Sequence, residues 1–263
     1  MDDEDVRLQA VVAAFYEADT LTGLGRCAQD VGAAGVYGEM TSPATLFRAL
    51  DLGAADRFVD LGSGRGQLVL AAMMRTDGPA PQSSVGVELI QTRHDVARCA
   101  WERCPEHVRV RSEMRCGDAT GEDLSTVTKA FFCNATFSSE LNSAMCAALT
   151  PARTPKLDRV ATMQKLPDSA ATEAGLVLMS VSAVHGTWAP AGTPLYVYSR
   201  TGGVSVNAAT QRALPLVDGS VDVMLVARRQ ADRQAMERAD PASQGTAERG
   251  SMRTALMAAE LME

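Results

Sequence analysis

Hydrophobic and polar positions alternate along the chain in a pattern that predicts a parallel α/β fold. From Arg57 to about Arg200, short apolar runs that suit buried strands recur between stretches with helical spacing. The predicted strands lie near residues 57–61, 84–88, 108–112, 129–134, 157–163, 176–184 and 195–199. Strands that alternate with helices in this way form doubly wound sheets. We therefore expect a seven-stranded, mostly parallel sheet.

The segments that flank this core have different patterns. Residues 5 to about 55 are predicted to be helical, with a second helix over Pro43 to Leu50 and a loop from Gly32 to Ser42. One face of the first helix is expected to carry Val6, Ala10, Val11, Ala14 and Phe15. Beyond Thr201 the pattern weakens, with an apolar run over 221–227 and a terminal helix over 252–263. The predicted units are a helical cap (1–55), a core (56–205) and a C-terminal extension (206–263).

Composition narrows the class of protein. The 263 residues are 46% hydrophobic, yet no apolar run reaches 18 residues, so we expect a soluble protein without a membrane partner. The start, Met1 to Asp5, is acidic, unlike a secretory leader. Six cysteines form no C-x-x-C pair and three histidines are scattered. We therefore predict no metal site, and buried thiols in a reducing compartment.

A glycine-rich turn follows the first predicted strand. Residues 58–68 read FVDLGSGRGQL, with glycines at Gly62, Gly64 and Gly66 between a strand and a helix. Glycine permits a sharp turn and close ligand approach, and the helix start offers free N–H groups. The spacing differs from the dinucleotide-binding G-x-G-x-x-G pattern, and Asp60 precedes the first glycine by two residues. This D-x-G-x-G-x-G pattern resembles motif I of class I S-adenosylmethionine methyltransferases; a turn that only permits close packing is the alternative.

Acidic residues follow the next two predicted strands. Glu88 ends the run from Ser84, one βαβ unit after Asp60, where a carboxylate can hold a ribose diol. The third run, 108–110, leads to Asp118, which could accept a hydrogen bond from an adenine amino group. Three acids at successive strand ends favour a nucleoside cofactor.

The fourth predicted strand ends at Asn134, where class I methyltransferases place the residue that faces the transferred methyl group. Its side-chain carbonyl can accept a hydrogen bond from an amine. Methyl transfer needs a neutral nucleophile held in line in a dry site, so positioning matters more than a catalytic base. The alternative is a structural strand-end cap or Asx turn.

Four segments together resemble one family, the non-SET histone lysine methyltransferases of the disruptor-of-telomeric-silencing type. In chain order they are residues 36–39 (VYGE), 60–67 (DLGSGRGQ), 132–134 (FCN) with Phe137 and Leu141, and 184–198 with Trp188, Pro194 and two tyrosines. The resemblance covers roughly residues 30 to 200. It implies a Rossmann-like class I methyltransferase fold, with S-adenosylmethionine as cofactor and S-adenosylhomocysteine as product.

The resemblance also implies roles for individual residues. Those assigned to the cofactor are Tyr37, Glu39, Thr41 or Ser42, Asp60, Gly62, Gly64, Gln67, Glu88, Asp118 and Asn134. The first four close over its methionine part, the next four hold its amino acid moiety, and Glu88 and Asp118 bind ribose and adenine. Those assigned to catalysis are Asn134, Tyr37, Trp188, Tyr196 and Tyr198. Asn134 meets the target amine, and Trp188 with one of the two tyrosines lines a narrow lysine channel, where aromatic walls suit an ammonium.

The sequence departs from the family pattern in two places. Ala135 and Thr136 follow Asn134, where the family has a second asparagine and then phenylalanine, and Ala119 replaces an aromatic residue after Asp118. The predicted function is methylation of a histone lysine ε-amine on the nucleosome core surface, by a monomeric nuclear chromatin regulator. A methyltransferase for a non-histone protein or small amine, or a methyltransferase-fold scaffold with weak activity, remains the alternative.

The net charge of −7 argues against bulk attraction to nucleic acid, and a long basic tail is missing. Local docking therefore has to use a patch, and the arginines that gather along the chain are Arg93, Arg98, Arg103, Arg109, Arg111 and Arg115. They are candidates for an acidic histone patch or an indirect contact with DNA phosphate, because arginine binds such groups with two donors. A solvated helix face is the alternative.

Overall fold

The computed structural model describes residues 3–16, 38–187 and 189–200, and only the backbone of Pro190. The predictions for Tyr37 and Trp188 therefore lie outside the described residues, as do most of the loop from Gly32 and the extension over 206–263.

A seven-stranded sheet forms the centre of the fold. Its strands are β1 Arg57–Leu61, β2 Ser83–Glu88, β3 Ser112–Cys116, β4 Lys129–Phe132, β5 Arg159–Thr162, β6 Leu176–Gly186 and β7 Ala189–Arg200. Their order is β3-β2-β1-β4-β5-β7-β6, in which β1 to β5 are parallel and β7 is antiparallel to both neighbours. This confirms the predicted mostly parallel sheet. The order reverses between β1 and β4, which is where doubly wound sheets bind ligands, beyond the carboxyl ends of the strands.

Helices cover both faces of the sheet. They are α1 Asp3–Ala13, α2 Pro43–Ala49, α3 Gln67–Met74, α4 Gln91–Glu102, α5 Glu106–Arg109, α6 Ser139–Ala148 and α7 Asp168–Glu173. Apolar residues of α1 to α5 form one buried cluster against the sheet, and those of α6 and α7 form another. Because both faces are covered, the central strands read as apolar runs rather than as alternating sequences.

The third strand begins later than predicted. Residues 108–112 were expected to form it, but α5 ends at Arg109 and β3 begins at Ser112. Pro105 occupies the N-cap of this short helix, where proline fits, and Val108 is fully buried on it. Val110 is 71% exposed, so the apolar run is not a buried strand. Strands β4 and β5 are shorter than expected, and β7 begins six residues earlier, at Ala189 instead of 195.

The buried face of α1 also differs from the prediction. Val6 and Val11 are 49% and 42% exposed, whereas Leu8, Val12 and Asp5 are buried. Asp5 sets this face because its carboxylate accepts hydrogen bonds from the backbone of α2. A polar contact between two helices therefore overrides the apolar spacing.

The hairpin of β6 and β7 brings its turn to the ligand-binding edge of the sheet. Thr162, the last residue of β5, pairs with Tyr196, and Gly186 pairs with Ala189 at the turn. Since β7 runs opposite to β5, the turn over 186–189 lies toward the carboxyl ends of the parallel strands. Among the helices of the described part of the chain, none is long and apolar enough to span a bilayer.

Candidate active site

The glycine turn joins β1 to α3 with three glycines in the left-handed region. Their φ angles are 88°, 57° and 80° at Gly62, Gly64 and Gly66. The backbone N–H groups of Gly62 and Ser63 donate to the carbonyl of Val87, at 2.8 and 3.0 Å, which fixes the turn against β2. A Cβ on Gly66 would lie 2.6 Å from Cε of Met114, whereas a Cβ on Gly62 would meet no atom of the described residues within 4 Å. Gly66 therefore permits packing, and Gly62 borders open space.

Asp60 is the penultimate residue of β1 and is 3% exposed. Burial raises the pKa of its carboxyl well above the usual value, and negative charge from Glu88 and then Glu39 raises it further. All three influences act in the same direction. A ligand that carries positive charge would relieve them, because it favours the ionised form of a carboxyl.

Glu88 ends β2 with both carboxylate oxygens bound to backbone. Oε2 accepts from the N–H of Gly64 at 2.7 Å, and Oε1 accepts from the N–H of Ile90 at 2.8 Å. This residue is 5% exposed. The structure therefore places Glu88 directly against the glycine turn, and its role toward a ribose stays a prediction.

Glu39 forms a nearly buried ion pair with Arg65 of the glycine turn. Nε of Arg65 donates to Oε1 of Glu39 at 2.7 Å, and the side chains are 10% and 12% exposed. Burial raises the pKa of Glu39 to about 7, although the charge of Arg65 and its hydrogen bond lower it. The second oxygen, Oε2, is buried without a hydrogen-bond partner in the described part of the chain. Glu39 thus retains an unused acceptor beside the turn.

These residues suit a cationic cofactor such as S-adenosylmethionine, whose sulfonium and ammonium groups are both positive. Glu39, Asp60 and Glu88 lie close enough for the first and third to raise the pKa of the second. Buried acids without enough compensating charge are the electrostatic complement of such a ligand. The residues present therefore fit this cofactor.

The remaining predicted cofactor residues have less specific surroundings. Asp118 is exposed and is the N-cap of a short 3₁₀ turn at Ala119–Gly121. Its carboxylate accepts hydrogen bonds from the N–H and the hydroxyl of Thr120. Gln67 is half-buried at the first position of α3. The backbone N–H of Thr41 donates to the backbone carbonyl of His185 at 2.8 Å. The roles of these three residues toward a cofactor stay predictions.

Asn134 has a different environment from the predicted one. It is fully buried, and its Oδ1 accepts from the N–H groups of Met163 and Gln164, at 2.8 and 2.7 Å. Its Nδ2 donates to Oδ1 of Asn142 and to the carbonyl of Gln164. The side chain therefore uses its acceptor and both donors inside the protein, in bonds to other segments rather than in the strand-end cap or Asx turn given as the alternative. It ties the end of β4 to the segment after β5.

Cys133 precedes Asn134 and follows the end of β4, and its side chain lies near Asp60. Burial raises the pKa of its thiol to about 12, and the charge of Asp60 adds to that effect. It packs against the same buried cluster as α3. Sequence reasoning missed this residue because the asparagine beside it looked chemically more suitable.

The two tyrosines of β7 do not form an open aromatic wall together. Tyr198 is 2% exposed, and its hydroxyl oxygen accepts from the N–H of Leu166 at 2.8 Å. It therefore belongs to the core, which corrects its assignment to the lysine channel. Tyr196 is half-buried beside the same cluster, so it keeps the predicted role as a candidate.

Arg65 and Tyr16 are two further residues that sequence reasoning missed. The guanidinium carbon of Arg65 lies 4.8 Å from the centroid of the Tyr16 ring, and the Tyr16 hydroxyl donates to the Arg65 carbonyl at 2.6 Å. An arginine between two glycines of the turn was a visible signal, since a charged residue there must either face solvent or find a partner. In the described part of the chain, no group of three or more His, Cys, Asp or Glu is placed to hold a metal ion.

The predicted arginine surface is largely engaged within the protein. Arg93 is buried, Arg98 pairs with Glu102, and Arg103 donates to the carbonyl of Phe15. Arg115 pairs with Glu113 at 2.7 Å and with Glu122 at 3.1 Å. Arg109 and Arg111 are exposed, and neither forms an ion pair with another described residue. The patch is therefore narrower than the sequence suggested.

Several solved structures of methyltransferases are similar to this chain. A proposed RNA methyltransferase from Pyrococcus horikoshii has a TM-score of 0.51 at 12% identity, and the match covers 76% of this chain and 99% of the other. An RNA methyltransferase from Salinibacter ruber, in complex with S-adenosylhomocysteine, has a TM-score of 0.42 at 19% identity, covering 62% and 92%. Magnesium protoporphyrin IX methyltransferase from Synechocystis, with the methyl donor bound, has a TM-score of 0.46 at 12% identity, covering 60% and 76%. No curated protein matches the sequence significantly.

The sheet order, the glycine turn and the acids at the strand ends define the fold as that of a class I S-adenosylmethionine-dependent methyltransferase. Within this class, residues 28–113 match the family model "Histone methylation protein DOT1". The match confirms the predicted resemblance over that segment, which includes Glu39, the glycine turn and Glu88. The later segments of the resemblance, 132–141 and 184–198, lie beyond it.

Proposed function

We propose that this protein transfers a methyl group from S-adenosylmethionine to the ε-amine of a histone lysine on the nucleosome. The observation that supports S-adenosylmethionine as the cofactor is the set of buried acids around the glycine turn, Glu39, Asp60 and Glu88. The match of residues 28–113 to a histone methylation family supports the acceptor. A nuclear, monomeric chromatin regulator is part of the same proposal.

The cofactor supplies an electrophilic methyl group, and the chain holds and orients it. Asp60 and Glu39 provide negative charge for its cationic amino acid end, while Gly62 leaves room for close approach. Glu88, held between Gly64 and Ile90, is positioned for the ribose. Fixed charges of this kind act at full strength in a site with little water.

The acceptor amine must be neutral to attack. A lysine has a reference pKa of about 10.4, so only a small fraction is neutral at pH 7. Among the described residues, the half-buried Tyr196 of β7 stays the candidate for the wall of the acceptor channel. We expect the rate to rise with pH toward the lysine pKa.

The test is radiolabelled methyl transfer with intact nucleosomes, free histones and small amines as acceptors. The proposal expects nucleosomes to be the best acceptor, and Asp60→Asn to lose activity because it removes charge without changing shape. Asp3→Asn, which changes an exposed carboxyl in α1, is the matched control and should leave activity intact. Incorporation into free amines alone would contradict the histone assignment, and a protein that does not bind the cofactor would contradict the whole proposal.

A second acceptor class has one observation in its favour. Asn134 is saturated with internal hydrogen bonds and Tyr198 is buried, so two of the residues expected to receive lysine are engaged elsewhere. A small amine, unlike the lysine of a protein, would not need that channel. The same assay separates this candidate from the histone one.

A further inference from the structure

Arg65 contacts two segments that are far from it in the sequence. Tyr16, just after α1, stacks against its guanidinium at 4.8 Å. Glu39 accepts a hydrogen bond from its Nε at 2.7 Å. The side chain is 10% exposed, so these contacts are made largely out of water. A buried arginine in a glycine turn that binds a ligand needs such partners, because its charge cannot be lost by deprotonation.

Glu39 continues this connection to the hairpin of β6 and β7. Its backbone N–H donates to the Thr187 hydroxyl at 3.0 Å, and its carbonyl accepts from the N–H of Thr187 at 2.9 Å. Met40 forms a bridge with Gly186, and the N–H of Thr41 donates to the carbonyl of His185. Residues 39–41 are therefore held on the hairpin turn by their backbone and on the glycine turn by one side chain.

We infer that Arg65 is a positioning residue that joins the cofactor-binding turn to the β6–β7 turn through Glu39. This inference rests on the proposed function, since it assumes that the glycine turn binds S-adenosylmethionine. Arg65 acts through Glu39 rather than on the reacting atoms. When the glycine turn is ordered by the cofactor, Arg65 holds residues 39–41, and these in turn hold the hairpin turn at the same edge of the sheet.

The ion pair has a defined dependence on pH. The titratable and charged groups near Glu39 are Arg65 on the glycine turn, Asp60 on β1 and Tyr16 after α1. The pKa of Glu39 is about 7, and Arg65 lowers it. Below pH 7 Glu39 becomes neutral and the pair weakens. Removing the positive charge of Arg65 raises the pKa of Glu39, so the transition moves to higher pH.

Binding of S-adenosylhomocysteine, followed by calorimetry from pH 5.5 to 9, tests the ion pair. The wild type should bind more tightly as pH rises through about 7. In Arg65→Met the affinity should fall about tenfold at pH 7, a change expected for loss of a coupled contact, and the transition should move to higher pH. In Glu39→Gln the transition should be absent. Arg65→Lys keeps the charge but not the planar group, so it should restore part of the affinity.

Hydrogen exchange tests the link to the hairpin. In the wild type, S-adenosylhomocysteine should slow exchange at the Thr41 and Thr187 amides, because their acceptors are His185 and Glu39. Arg65→Met should bind the ligand, at raised concentration, without this protection. Arg7→Met removes an arginine from an exposed pair with Glu4 and should behave as the wild type in both experiments.

The outcomes separate the two proposals. If the wild type binds neither S-adenosylmethionine nor S-adenosylhomocysteine, the proposed function fails and the role of Arg65 fails with it. If the wild type binds, and Arg65→Met keeps both its affinity and the ligand-induced protection, the inference about Arg65 alone is wrong. If Arg65→Met does not fold, Glu39→Gln decides, because it removes the partner of Arg65: an unchanged pH transition, or unchanged ligand-induced protection of Thr41 and Thr187, contradicts the inference.

Discussion

Two glycines of the turn share a backbone conformation but differ in what a side chain would meet. Gly66 faces Met114 and Ala97, with a Cβ position 2.6 Å from Met114 and 3.2 Å from Ala97. Gly62 has a φ of 88°, and no atom of the part of the chain that the structure describes lies within 4 Å of its Cβ position. The absence of a side chain at Gly66 is therefore needed for packing, and its absence at Gly62 leaves room where the cofactor is proposed to approach.

Gly62→Ala should therefore weaken cofactor binding while the fold survives. Forcing a non-glycine residue into the left-handed region costs about 1–2 kcal/mol, and the added Cβ enters ligand space. Calorimetry with S-adenosylhomocysteine should show at least about tenfold weaker binding, equivalent to about 1.4 kcal/mol. Gly175→Ala is the control for strain, since Gly175 has a φ of 65° and precedes β6 at the opposite edge of the sheet. Equal losses of affinity in both variants would contradict the assignment of Gly62 to the cofactor pocket.

Asn134 was predicted to act on the amine, and its hydrogen bonds instead predict a loss of stability. Asn134→Ala leaves the buried N–H groups of Met163 and Gln164 without an acceptor. An unsatisfied buried group costs about 1–3 kcal/mol, so urea unfolding should show a loss of at least that size. Asn142→Ala removes one partner of Asn134 and should cost less. Wild-type stability with lost turnover in Asn134→Ala would instead support the role at the amine.

At the scale of elements, α1 and α2 are connected by a cap that comes from outside the capped helix. Ser42 occupies the N-cap of α2 without a side-chain cap hydrogen bond. Asp5 of α1 supplies it, accepting from the N–H groups of Ala44 and Thr45 at 2.7 and 3.3 Å, and from the Thr45 hydroxyl at 3.0 Å. The carboxylate also meets the positive end of the helix dipole.

Asp5→Ala should destabilise the protein by about 1–2 kcal/mol, the usual cost of losing a helix cap. Asp5→Asn keeps an acceptor and should lose less. Urea unfolding measures both, and Asp3→Ala, an exposed acid in the same turn of α1, is the control. If Asp5→Ala matched that control in stability, the helix cap would be of no energetic consequence.

At the scale of the whole molecule, the proposed nucleosome substrate has to be reached through a local surface, because the protein carries a net charge of −7. Reversal of Arg98 and Arg103 to glutamate is one way to test the arginines proposed for docking. The structure gives Arg103 a contact with the carbonyl of Phe15, so its reversal would also disturb the segment next to Tyr16. The exposed Arg109 and Arg111 give a cleaner test.

Reversing Arg109 and Arg111 together to glutamate should reduce nucleosome methylation and leave cofactor binding intact. Each lost phosphate contact should lower the salt dependence of binding by about one unit of slope. Methylation rates measured over a range of salt concentrations give the activity and its salt dependence, and calorimetry with S-adenosylhomocysteine checks cofactor binding. Lys156→Glu with Lys165→Glu changes the net charge equally at other exposed positions and is the control. Normal methylation by the Arg109 and Arg111 variant would mean that docking uses another surface.

The sequence by itself determined the class of fold and the position of the ligand site. Apolar runs mark strands buried on both faces, and the D-x-G-x-G-x-G spacing requires a strand, a tight turn and a helix in that order. Both are local signals, because each depends on neighbouring residues only. Asp60 and Glu88 could be assigned for the same reason, since a carboxylate that ends a parallel strand must lie at that edge of the sheet.

Only the tertiary structure decided which polar side chains are free to act and which hold the fold together. Asn134 and Tyr198 look chemically suitable, but their partners, Gln164 and Leu166, lie about thirty residues away in the sequence and are brought near by packing. The same holds for Arg65, whose partner Glu39 precedes it by 26 residues. Hydrogen bonds and ion pairs between distant segments leave no periodic pattern in a sequence, so only the folded chain reveals them.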